Sequence, residues 1–230
     1  LLGWDAMESV AEVFSSQIVI RTRFFDEYLL AATSSCEQVV LVGAGLDTRA
    51  FRLPWPSRAR LFEADLPNVF TFKEQVLGGH SAVPRCDRHI VRADLREDWS
   101  KELVAAGFQD TSPTAWLAEG LLAYLSVSDA RRLLTTIGTL SISQSQVAFE
   151  RILAPESDAD PPGPAARTRA ISGAEPVTGL WKGGLGSDGP EWMSRQGWQP
   201  QFHSRVQLAR SYGRPTTDPP LDGFLTAIRA

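Results

Sequence analysis

Apolar residues near the start of the chain recur close to helical spacing: Val13, Phe14, Ile18, Phe24, Phe25, Leu29 and Leu30 fall between Val13 and Ala32, with Arg21, Arg23, Asp26 and Glu27 among them. A period near 3.6 predicts an amphipathic helix, or a pair of helices, with one face against a core. The pattern then changes. Gln38 to Val42 is a short apolar run rich in β-branched residues, stopped by Gly43-Ala44-Gly45, as expected of a buried strand ending in a tight loop. The alternation continues with a strand at Arg60 to Glu63 and a helix opening at Pro67, a residue suited to a first helical turn. A strand at His89 to Val91 is followed by a helix from Trp99 to Ala106. Next come a strand at Thr114 to Ala118, a helix from Ser128 to Leu140 with Leu133, Leu134, Ile137 and Leu140 on one side, and a strand at Gln146 to Phe149. Strand and helix in this rhythm predict an α/β fold, a mostly parallel sheet with helices on both faces. Ligands of such sheets bind beyond the carboxyl ends of the strands.

Between Pro155 and Pro190 the chain packs six Pro and seven Gly into 36 residues, too many for a long helix or strand, so an irregular insertion or lid is expected there. Order is predicted to return as a short helix at Glu191 to Gly197, a segment at Gln201 to Ser204, a helix at Val206 to Tyr212 and a last strand at Phe224 to Ile228. The expected organisation is a single domain over 1–230: an N-terminal helical segment 1–35, an α/β core 36–150, the insertion 155–190, and C-terminal strands and helix 191–230.

Composition narrows the function classes. The 230 residues carry 23 Lys and Arg against 27 Asp and Glu, a net charge of −4, and no block of basic residues marks a nucleic-acid surface. No apolar run approaches the ~18 residues of a membrane span. The start, Leu1-Leu2-Gly3-Trp4-Asp5, is acidic where a secretory signal would be basic, so a cytoplasmic protein without a membrane partner is expected. Cys36 and Cys86 are too few for a disulfide framework and are read as reduced thiols, and the three scattered histidines lack metal-ligand spacing, so no metal is expected.

Candidate chemistry begins at Gly43-Ala44-Gly45-Leu46-Asp47. Glycines where a first strand meets a helix let backbone N–H groups approach a cofactor. The third small residue of a dinucleotide fingerprint is replaced by Thr48, and Asp47 puts negative charge where a pyrophosphate would lie. The loop therefore suits a cofactor without phosphate and with a positive group. S-adenosylmethionine has that character: a sulfonium, an amino acid tail, a ribose diol and an adenine. Glu63 and Asp65 stand about twenty residues after the glycines, where a carboxylate can accept from ribose hydroxyls, and spacing alone leaves the choice open. Asp94-Leu95 offers an acid and an apolar neighbour for the adenine. Arg21 can grip a carboxylate with two parallel hydrogen bonds, although it could also pair within its own helix. Asp47 could cap a helix as well.

The runs Arg21-Thr22-Arg23-Phe24-Phe25-Asp26, Gly43 through Leu53, Phe62-Glu63-Ala64-Asp65-Leu66-Pro67, Ala93-Asp94-Leu95-Arg96 and Ala118 through Leu125, in this order, resemble the leucine carboxyl methyltransferase family. The resemblance implies a class I methyltransferase (Rossmann-like) fold and transfer to an oxygen acceptor, a carboxylate or hydroxyl. It implies Arg21 for the cofactor carboxylate, Gly43, beside Gly45, for the methionine portion, Asp65 rather than Glu63 for the ribose, Asp94 and Leu95 for the adenine, and Glu119 for the amino group. Relatives usually carry a longer segment before the arginine motif, and the expectation is that its shortness here bears on acceptor binding. No catalytic base is evident, and Tyr124 is expected to belong to the core. An ionised carboxylate acceptor would need no base. A nicotinamide-dependent oxidoreductase and a cofactor-binding but inactive methyltransferase-like protein are the alternatives.

Overall fold

The computed structural model describes residues 4–151, 180, 182, 184–214 and 222–230, with side chains from residue 17 onward. Most of the 155–190 insertion lies outside the described residues. The first helix, α1 (Trp4–Ala32), is one continuous element rather than a pair. Then come β1 (Gln38–Val42), α2 (Arg49–Arg52), β2 (Arg60–Asp65), α3 (Pro67–Gly79), β3 (Asp87–Arg92), α4 (Ser100–Ala105) and β4 (Thr114–Ala118). A 3₁₀ turn at Leu122–Tyr124 leads to α5 (Val127–Thr139) and β5 (Gln146–Arg151), and the chain closes with α6 (Gly189–Arg195), β6 (Trp198–Ser204), α7 (Arg205–Ser211) and β7 (Gly223–Arg229).

The seven strands form one sheet in the order β3-β2-β1-β4-β5-β7-β6. The first five pair in parallel and β7 runs antiparallel between β5 and β6. The expected mostly parallel α/β sheet is present, and several strands run one to three residues beyond their expected ends because pairing with neighbours continues where the apolar pattern stops.

Alternation along each strand sorts the core into two layers. Val39, Leu41, Leu61, Ala115, Leu117 and Ala148 face α1, whose Ile20, Phe24, Phe25, Leu29 and Ala32 are buried against them. Val40, Val42, Phe62, Trp116, Val147 and Phe149 face the opposite layer, with Leu103 of α4, Leu133, Leu134 and Ile137 of α5 and Met193 of α6. Each large side chain buried this way contributes about 1.5–3 kcal/mol. Phe24 stacks on Phe224 of β7 at 4.5 Å between ring centroids, and Phe25 meets the same ring edge-on at 5.0 Å. These rings fix the angle and depth of α1, which matters because α1 carries Arg21.

The connection from β1 leads to β2 on one flank and that from β4 leads to β5 on the other, so the loops after β1 and β4 diverge and leave a crevice between them. Prolines 54 and 56 follow closely on α2, which ends after four residues. The β1 loop therefore leads into a single helical turn rather than a long helix.

Candidate cofactor site

A cavity of about 510 Å³ opens at this crevice, lined by Arg21 and Thr22 of α1, by Leu41 through Arg49 and Arg52, and by Leu117, Glu119, Gly120 and Tyr124. Its floor is the β1 loop. Gly43 has φ +69°, a left-handed conformation that a side chain adopts only with strain, and a Cβ there would lie 3.2 Å from the Leu121 side chain. Gly45 also has positive φ, and its N–H donates to Asp65 Oδ2 at 2.7 Å. Asp65, at the carboxyl end of β2, accepts from the Leu66 N–H through its other oxygen at 2.7 Å. One carboxylate thus ties the glycine loop to the neighbouring strand end.

The wall is ionic. Arg21 Nε lies 2.7 Å from Glu119 Oε1 and its Nη1 3.4 Å from Glu150 Oε1, so it pairs with the sheet and not with its own helix. Arg49 is buried between Asp26, Asp47 and Glu119, with Nε 2.7 Å from Asp26 Oδ1 and Nη1 2.7 Å from Glu119 Oε2. Its Nη1 also contacts Asp47, whose Oδ1 accepts the Arg49 backbone N–H at 2.6 Å in a turn leading into α2, whose N-cap is Thr48, so Asp47 lines the cavity without being the helix cap. Glu150 Oε2 accepts the Gly120 N–H at 2.7 Å. Counting Arg52, which holds Asp26 at 2.7 Å, the lining carries three guanidinium groups beside the carboxylates of Asp47 and Glu119, with Asp26 and Glu150 engaged behind them.

Burial pushes the Glu119 carboxyl above its ordinary range, and Arg49 and Arg21 only partly offset this. Burial works against the Arg21 and Arg49 guanidiniums too, but their carboxylate neighbours outweigh it and raise both. Arg21 Nε lies against Glu119 Oε1 and Glu119 Oε2 against Arg49 Nη1, both at 2.7 Å, so the Glu119 carboxylate is held between two guanidiniums. A guanidinium beside a carboxylate is the complement of the zwitterionic end of an amino acid, a carboxylate beside an ammonium.

Arg21, Gly43, Gly45, Asp47 and Glu119 are brought together in the cavity, with Asp65 bonded to its floor. Asp94 and Leu95 lie apart from the lining, at the carboxyl end of β3. The Asp94 carboxylate is engaged by Arg96 Nε at 2.9 Å and by the Arg96 backbone N–H at 2.9 Å, which together hold its pKa down at about 2, while Leu95 packs against the core beneath. Glu63 requires a correction. It sits in mid-strand between Leu41 and Ile90, fully buried, with Lys73 Nζ and Arg88 Nη2 each 2.7 Å from Oε2, and it does not reach the cavity. Two residues short of the strand end is enough to place it in the sheet rather than at its edge. Tyr124 is corrected as well: it is 42% exposed and lines the cavity instead of joining the core. Sequence reasoning assigned no part to Arg49 or Glu150. The signal was there in the Asp47-Thr48-Arg49 run, but nothing local shows which acids an arginine will meet.

Among solved structures the chain is similar to a DUF574 family protein from Streptomyces avermitilis, with TM-score 0.63, 14% identity, and 98% of this chain and 90% of that one covered. It is also similar to human N-acetylserotonin methyltransferase solved with S-adenosylmethionine, with TM-score 0.57 and 14% identity over 95% of this chain and 55% of that one. The fold is that of the class I methyltransferases. Residues 4–138 match the leucine carboxyl methyltransferase model, and the chain is 45% identical over 227 residues to "Putative S-adenosyl-L-methionine-dependent methyltransferase" of Parafrankia sp. strain EAN1pec, covering 96% of this chain and 71% of that relative. The chain belongs to the leucine carboxyl methyltransferase family. Among the described residues no helix is long and apolar enough to cross a membrane.

Proposed function

We propose that this protein is an S-adenosylmethionine-dependent methyltransferase that methylates an oxygen, a carboxylate or hydroxyl, of its acceptor. The observation that carries the reading is the half-buried Arg21–Glu119 ion pair on the wall of a crevice floored by Gly43 and Gly45. Names and complexes of the relatives support the same cofactor. When bound, the cofactor supplies a methyl group on a sulfonium, an electrophile that needs alignment more than activation.

The chain's own residues hold and orient. Arg21 takes the carboxylate of the amino acid tail and Glu119 its ammonium, while the backbone at Gly43 and Gly45 lets that tail approach the sheet. Asp65, at the carboxyl end of β2, would accept from the ribose hydroxyls, and Asp94 with Leu95, at the carboxyl end of β3, would flank the adenine. Asp47, in the lining, offers negative charge to the sulfonium. Methyl transfer is an in-line displacement, so fixing the acceptor oxygen against the methyl supplies most of the effect. A carboxylate acceptor arrives ionised near neutral pH and needs no proton removed.

Calorimetry with S-adenosylmethionine and S-adenosylhomocysteine tests the cofactor reading, and transfer of labelled methyl to carboxylate- and hydroxyl-bearing acceptors tests the reaction. No heat of binding with either ligand overturns the proposal. Binding without transfer across the acceptor panel favours a methyltransferase-like binding protein instead.

A further inference from the structure

We propose that Arg49 is a positioning residue of the cofactor site, tying the Asp47 loop and the Glu119 strand end to α1 through one buried guanidinium. The inference rests on the reading of the site given above. Three elements separated widely in sequence meet at this side chain: Asp26 of α1 at Nε, and Asp47 of the β1 loop and Glu119 after β4 at Nη1. The backbone is held too, since the Arg49 carbonyl accepts the Trp55 indole N–H at 2.8 Å. Asp26 lies outside the cavity lining, so its contact with Arg49 serves the site only by fixing the guanidinium.

The planar fork of arginine is what the arrangement requires. Its Nε faces α1 while Nη1 faces the cavity, and a lysine, with a single nitrogen, reaches one side or the other. Charge matters separately. Glu119 is faced by Arg21 from α1, Arg49 from α2 and Glu150 from β5, with Asp47 behind Arg49 and Tyr124 on the lining of the same cavity. Without Arg49, one cation and two further carboxylates surround Glu119, and protonation becomes easier. A protonated Glu119 loses its attraction for a ligand ammonium.

The test uses the full chain as wild type, Arg49→Gln and Arg49→Lys. The Glu119 carboxyl is titrated by ¹³C NMR without cofactor, and S-adenosylmethionine binding is measured by calorimetry on the same samples. In Arg49→Gln the Glu119 midpoint should rise by about one unit, and in Arg49→Lys it should stay within about 0.3 unit. Both variants should bind S-adenosylmethionine ~10-fold more weakly, with the Gln variant losing further affinity as pH falls and the Lys variant not. A merely structural role would not separate the two variants in this way. An unmoved Glu119 midpoint in Arg49→Gln, or binding by Arg49→Lys within about twofold of wild type, overturns the proposal. If Arg49→Gln does not fold, the Lys variant decides by its binding. A wild type that binds no S-adenosylmethionine defeats the functional reading instead, and the NMR midpoints still decide the part played by Arg49.

Discussion

Replacing Asp65 by alanine separates cofactor recognition from folding. In the free protein the Asp65 carboxylate accepts two backbone N–H groups, from Gly45 and Leu66, both at 2.7 Å. Their loss costs stability, but both donors lie at a partly exposed edge where water can replace the acceptor, so the fold should persist with about 1–2 kcal/mol less stability. The ligand effect is larger. A ligand at 100 times its Kd stabilises the native state by about 2.7 kcal/mol, which for a chain of this length raises Tm by about 5–11 °C. Hydrogen bonds to a charged acceptor contribute about 1.5–3 kcal/mol, and losing about 3 kcal/mol weakens Kd by ~150-fold. The same ligand concentration then stabilises by only about 0.3 kcal/mol, a rise of about 1 °C. Scanning calorimetry of both proteins with and without S-adenosylmethionine measures the difference between two shifts, so the lower starting Tm of the variant cancels. A variant whose ligand-induced shift stays within about 2 °C of the wild-type shift would refute the assignment of Asp65.

Gly43→Ala should lose about 1–2 kcal/mol in urea unfolding, because φ is +69° and the new Cβ presses on Leu121 at 3.2 Å. It should also weaken cofactor binding, and a variant as stable as wild type would argue against the left-handed loop. Lys73→Met leaves Glu63 fully buried with Arg88 as its remaining cation, and should lower unfolding free energy by about 3 kcal/mol without altering cofactor affinity at the intact crevice. Calorimetric Kd values that change in step with stability would contradict the placement of Glu63 outside the site. The hydrogen bond from Arg88 holds the Glu74 carboxyl below its ordinary value of 4.5 against partial burial. Its stabilisation is therefore present above that value and lost as pH falls through the lower folded one. Urea midpoints of Glu74→Gln should fall less steeply than wild type on acidification below about pH 4.5, and parallel curves would count against the pair.

The strands and helices of the core were legible because burial imposes its own period on sequence. Val39 to Val42 alternates between two apolar layers and is bounded by glycine, and Leu133, Leu134 and Ile137 recur on one face of α5. The glycine loop was equally legible, since Gly43 and Gly45 follow a strand and both take positive φ. What failed was local in origin. Tyr124 sits beside buried Leu122, and nothing in its neighbours in sequence tells that the 3₁₀ turn points it into the cavity. Glu63 and Asp65 are two residues apart on the same side of one strand, and only the length of β2 leaves one enclosed and the other at the edge.

The sequence by itself determined the layered α/β fold, the family and most of the side chains around the crevice, because periodicity and short motifs are properties of neighbouring residues. The tertiary structure alone decided which charges meet. Arg21 finds Glu119 and Glu150, and Arg49 joins Asp26, Asp47 and Glu119, across separations set by strand order and by the seat of α1 on Phe224. Coulombic energy depends on distance in space and on burial, and neither is encoded in spacing along the chain.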